Sequence, residues 1–129
     1  MSSMNTLQKW QASLGAQPDA SFPHIAHFGD VDSEYRAAKN ACALIDVTGL
    51  GVLTIAGTDC ADLLHRLTMN EIRKMQPGDV VVNALPNAKG KLVDAFFQLK
   101  ENDGFRLITG FGRSAAVAAW LDRYIFIED

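Results

Sequence analysis

The sequence is short of the residues that mark the specialised protein classes. It holds two cysteines in 129 residues, Cys42 and Cys60, too few for a disulfide framework or a zinc knuckle. Each lies within an apolar helical pattern, and both are expected to be small, buried, reduced side chains of a cytoplasmic protein. A basic excess is lacking too. Twelve Lys and Arg against fifteen Asp and Glu leave a net charge of −3, which argues against a nucleic-acid partner. No run approaches the ~20 apolar residues of a membrane span. Residues 1–20 also lack the continuous apolar stretch of a signal peptide. His24, His27 and His65 are too scattered to supply a metal site. Gly49-Leu50-Gly51 and Gly110-Phe111-Gly112 complete neither a dinucleotide fingerprint nor a P-loop, so their expected role is in turns.

What is present suits one globular domain. The hydrophobic share is 48% and the charged share 21%, and a chain of this length buries about two-thirds of its unfolded surface. Residues 1–30, broken by Gly15, Pro18, Pro23 and Gly29, are expected to form a loosely ordered arm with one helical turn around Leu7–Leu14. Residues 31–129 form the domain. Asp32 or Ser33 is expected to cap a helix that runs through Cys42, with Tyr35, Ala38 and Cys42 on one face. Two short β runs follow, Leu44–Thr48 and Val52–Ala56.

Cys60, Leu63, Leu64 and Leu67 recur at helical spacing behind a cap at Thr58 or Asp59. Strands are predicted at Val80–Leu85, Lys91–Lys100 and Phe105–Thr109. The turns joining them, Pro86–Gly90 and Asn102-Asp103-Gly104, are too short for parallel crossovers. A helix over about Ser114–Tyr124 comes next, and Ile125–Asp129 reads as the entry to another strand. The fold class is therefore α+β, an antiparallel sheet with helices packed on one side, which ends as a new element begins. Such a sheet is expected to keep an open edge or face, and so to favour a partner chain or a homo-oligomer.

One residue interrupts the pattern. Asp94 shares strand parity with Leu92 and Phe96. On a core face an ionised carboxylate needs hydrogen-bond partners or a ligand; on the solvent face Leu92 and Phe96 are exposed instead. Parity alone leaves both readings open. Lys89 and Lys91, flanking Gly90, are expected to form a charged, solvated turn.

Residues 34–72, with Ala37–Cys42, Asp46-Val47-Thr48, Gly57 and Asn70, resemble the amino-terminal region of the aminomethyltransferase superfamily. This superfamily includes the glycine-cleavage T-protein and the YgfZ-type folate-binding proteins. Asn87–Asp94, Asp103–Ile108 and Trp120–Asp129 continue the likeness, which covers about residues 27–129. The resemblance implies a tetrahydrofolate-binding domain, incomplete relative to the family, with Asp94 as the catalytic carboxylate. It implies a pocket shared by Asp94, Leu85, Asn70 and Ile108.

Several positions depart from the T-protein pattern. Ala95 stands for a second aspartate, Val82 for a tyrosine and Gly110 for an asparagine. Ala88–Lys91 and Tyr124–Asp129 look closer to the YgfZ-type branch, which is linked to iron–sulfur cluster maintenance. The alternatives are a ligand-free interaction domain and a divergent glycine-cleavage enzyme. Turnover by this chain alone is not expected.

Overall fold

The computed structural model describes residues 6–21 and 24–126. The chain divides into two compact units, Met1–Gly49 and Leu50–Asp129.

In the first unit, helix α1 spans Thr6–Ser13 and strands β1 (Gln17–Pro18) and β2 (Ile25–His27) pair antiparallel. Among the described residues here, local hydrogen bonds such as Asp19 N–H to the His24 carbonyl at 2.9 Å accompany these short elements. Helix α2 spans Val31–Asn40. Its cap is Asp30 rather than Asp32 or Ser33, and the Asp30 carboxylate accepts from the Ser33 N–H at 3.1 Å and the Ser33 hydroxyl at 2.6 Å. The helix stops at Asn40, so Cys42 falls outside it and is exposed, not buried. Tyr35 and Ala38 are exposed as well, and α2 buries no residue.

Leu44–Thr48 is irregular instead of a strand. The Asp46 carboxylate accepts from the Thr48 N–H at 2.9 Å and from its hydroxyl at 2.8 Å, folding the chain into an Asx-type turn. The buried Gln11 side chain donates to the same carboxylate. Led by the Thr48 N–H, these donors hold the Asp46 carboxyl below its ordinary range.

The second unit contains β3 (Leu50–Ala56), α3 (Cys60–Leu67), β4 (Val80–Pro86), β5 (Leu92–Glu101), β6 (Gly104–Phe111) and α4 (Ser114–Asp122). The strands form one sheet in the order β3-β6-β5-β4, antiparallel throughout. The β4–β5 turn is built by Asn87, whose Oδ1 accepts from the Lys89 and Lys91 N–H groups at 2.9 and 3.0 Å. Gly90 completes that turn at φ +72°, a left-handed conformation that suits glycine. At the start of β6, Gly104 admits no side chain. A Cβ there would stand 2.1 Å from the Ile55 carbonyl oxygen.

Alternation along β6 buries Phe105, Leu107 and Thr109 and leaves Arg106 exposed. On that inner face α3 packs against β6, and α4 packs against β3 and β6. Leu64 of α3, Val117 and Leu121 of α4, Leu85, Phe96, Phe105 and Leu107 form the core. The expected fold class is the observed one: α+β, with helices against one face of an antiparallel sheet. Ile125 and Phe126 lie outside any strand, and the rest of the expected terminal strand lies outside the described residues.

Candidate functional site

The parity of β5 puts Asp94 on the same side as the buried Phe96 and Gln98, which is the helix-covered side. Its cross-strand partner is Leu85, itself fully buried. The Asp94 side chain is 12% exposed. Its Oδ1 accepts from the adjacent Ala95 N–H at 2.9 Å. Its Oδ2 is buried and takes no hydrogen bond among the described residues, although the Arg113 Nε lies 3.4 Å away. That separation makes an ion pair, while the geometry falls short of a hydrogen bond. Buried carboxylate oxygens are nearly always hydrogen-bonded, so this one is an unused acceptor.

Arg113 went unnoticed in the sequence. It stands at the head of α4, where its N–H donates to the Gly110 carbonyl at 3.1 Å and its carbonyl accepts from Val117 at 3.0 Å. Its Nη2 donates to the Val93 carbonyl at 2.8 Å. A signal existed: cations are disfavoured at a helix N-terminus, so an arginine there points to a nearby carboxylate.

The other expected pocket residues are placed elsewhere. Asn70 is fastened to β4, where its Nδ2 donates to the Val82 carbonyl at 2.7 Å and its N–H reaches Asn83 Oδ1 at 3.2 Å. Val82 and Asn83 pair with Phe97 and Phe96, so Asn70 is anchored two to three pairs along the ladder from Leu85 and Asp94. Ile108 lies on the opposite face from Asp94, because its β6 neighbours Leu107 and Thr109 point inward. Asp94 and Ile108 therefore face opposite sides of the sheet.

The opposite face is open and apolar. Val52, Ile108, Phe97 and Val82 pair in one row across all four strands. Val52, Phe97 and Val82 are 56%, 52% and 64% exposed. A shallow cavity of about 210 Å³ opens there, lined by Val82, Ala95, Phe97, Ile108 and Gly110 among others. Beneath the sheet, sequence reasoning also missed a buried polar network. Asn83 donates to Gln98 Oε1 at 2.9 Å and to Thr68 Oγ1 at 2.8 Å. Among the described residues, no group of three His, Cys, Asp or Glu side chains could hold a metal ion, and no helix is long and apolar enough to cross a membrane.

A family model, the GCVT N-terminal domain, matches residues 5–128. The chain belongs to that family. Similar proteins include an aminomethyltransferase of Methylococcus capsulatus, 29% identical over 99 residues, which are 75% of this chain and 28% of the relative. A probable aminomethyltransferase of Haloarcula marismortui is 27% identical over 121 residues, 85% of this chain and 33% of the relative. An aminomethyltransferase of Pseudomonas syringae is 25% identical over 96 residues, 74% of this chain and 27% of the relative. This GCVT N-terminal domain therefore spans about a quarter to a third of the length of these relatives.

Proposed function

We propose that this GCVT N-terminal domain binds tetrahydrofolate, with Asp94 accepting hydrogen bonds from nitrogen-bound protons of the ligand. The supporting observation is the Asp94 Oδ2, buried yet without a hydrogen bond among the described residues. A buried carboxylate oxygen that accepts no hydrogen bond costs stability even beside the Arg113 guanidinium, and a ligand donor would offset that cost. The donor set fits the group. Asp94 offers an acceptor for a nitrogen-bound proton, while Leu85, its cross-strand partner, belongs to the core behind it. Bound tetrahydrofolate supplies the nitrogens that carry a one-carbon unit, and Asp94 orients them.

Aminomethyl transfer is the activity in the names of relatives that are about three times longer. Binding is assigned to this chain, and transfer to an assembly that also contains the segments lying beyond the match. The two unbridged cysteines suit a reducing compartment, and the cytoplasm is the proposed location. A role in iron–sulfur cluster maintenance rests on the likeness at Ala88–Lys91 and Tyr124–Asp129.

A second reading has its own observation. The open row Val52–Ile108–Phe97–Val82 suits a domain that works through association with another protein, without a ligand. Titration calorimetry with tetrahydrofolate and its 5-formyl form separates the two. The folate reading expects micromolar binding by the wild type. Asp94→Asn should weaken it by about one to two powers of ten, the equivalent of a charge-assisted hydrogen bond of roughly 1.5–3 kcal/mol. Absence of heat at micromolar protein would transfer the assignment to the association reading. Equal affinities would remove Asp94 from the site.

A further inference from the structure

We propose that Arg113 is the positioning residue for Asp94, an inference that rests on the folate reading of that carboxylate. Two contacts from one guanidinium converge on adjacent residues of β5. Nη2 holds the Val93 carbonyl at 2.8 Å, and Nε faces Asp94 Oδ2 at 3.4 Å. The first contact fixes the peptide that precedes Asp94, and the second fixes the direction of its carboxylate. Arg113 is itself anchored, because the turn through Gly112 (φ +66°) brings it to the head of α4, where its backbone bonds to Gly110 and Val117. The side chain is 46% exposed, so the ion pair is partly screened and its value lies in geometry more than in stability.

The arrangement also explains how Asp94 keeps an unused acceptor. Arg113 Nε is near enough to balance the charge of Oδ2 without making a hydrogen bond to it. A ligand N–H therefore meets a carboxylate whose orientation Arg113 fixes.

The test is a double-mutant cycle of Arg113→Gln and Asp94→Asn with two readouts. The first is tetrahydrofolate titration. Arg113→Gln should weaken binding about five-fold, Arg113→Lys should recover part of that loss, and Arg113→Gln should add nothing in the Asp94→Asn background. The second needs no ligand: the amide resonance of Ala95, whose N–H bonds to Asp94 Oδ1, should shift in Arg113→Gln and return toward the wild-type position in Arg113→Lys. A full five-fold loss that persists in the Asp94→Asn background would mean that Arg113 touches the ligand itself, and would overturn the proposal. An unmoved Ala95 resonance would overturn it as well. If the wild type binds no tetrahydrofolate, the folate reading falls, and the Ala95 resonance still decides the role of Arg113.

Discussion

Removing the Asn83 side chain should be among the most damaging single changes beneath the sheet. Asn83 is 2% exposed, and its carboxamide joins the α3–β4 connection to the centre of β5. Not every lost contact matters equally in Asn83→Ala. The Met69 N–H keeps the Ala84 carbonyl at 3.2 Å, and the Thr68 hydroxyl keeps the Leu64 carbonyl at 2.6 Å. Asn70 is exposed, so water can take its N–H. Gln98 has no such relief. It is 0% exposed, its Nε2 already lacks a partner among the described residues, and the mutation removes the partner of Oε1.

Stranding that oxygen costs about 1–3 kcal/mol, and the small void adds about 1 kcal/mol, giving roughly 3 kcal/mol in all. The assay follows from the two tryptophans, Trp10 in the first unit and Trp120 in the second. In a Trp10→Phe background, urea unfolding followed by fluorescence reports the second unit, and the midpoint should fall by about 1–2 M. Adding Gln98→Met should recover part of the loss, because it removes the stranded oxygen. A cost under about 0.5 kcal/mol for Asn83→Ala, or a further full penalty from Gln98→Met, would refute this account.

Two further outcomes are expected beyond those already set out for Asp94 and Arg113. Gly104→Ala drives a Cβ into the backbone carbonyl of Ile55, which cannot swing away like a side chain, and should cost about 2 kcal/mol or more and loosen the β3–β6 pairing in hydrogen exchange. Protection of the Ile55 and Phe105 amides unchanged from wild type would contradict it. In the first unit the Asp46 carboxyl is held below its unfolded value near 3.8, so its stabilising contribution is full above that pH and is lost as pH falls through the lowered folded value. With Trp120→Phe leaving Trp10 as reporter, Asp46→Asn should flatten the acid end of the thermal stability curve. Superimposable curves for the two proteins would rule this out.

The elements most legible in the sequence were those whose signal is local. Cys60, Leu63, Leu64 and Leu67 delimit α3 at the residues observed, since a buried stripe at helical spacing has few alternatives. Short glycine-bearing turns likewise required the antiparallel β4–β5–β6 meander. Leu44–Thr48 misled because its apolar residues suit a strand, while the Asp46 carboxylate captures Thr48 and turns the chain. Gly15, Pro18 and Gly29 read as looseness, but they stand at or beside the ends of short elements. The site was legible only in part. Asp94 could be singled out from parity, whereas its partner Arg113 belongs to another element and meets it only through the tertiary fold. The side taken by Ile108 depends on register through the Asn102–Gly104 turn, which periodicity within one strand does not specify.

The strand order has a consequence for the way the chain reaches its fold. β4, β5 and β6 are joined by tight turns and can zip together on contact, but β3 must wait for β6. Ala56 pairs with Gly104 and Leu50 with Phe111, closing a loop of roughly fifty residues at a much higher entropic cost than a hairpin. On a growing chain β3 emerges first and docks last. Until β6 is complete, Val52, Leu53 and Ile55 sit on a strand with no hydrogen-bonding neighbour, and such strands recruit one another. Conditions that slow the meander should therefore lower yield through aggregation before they lower the stability of the finished molecule. Substitutions in β3 should speed unfolding while leaving the folding rate almost untouched.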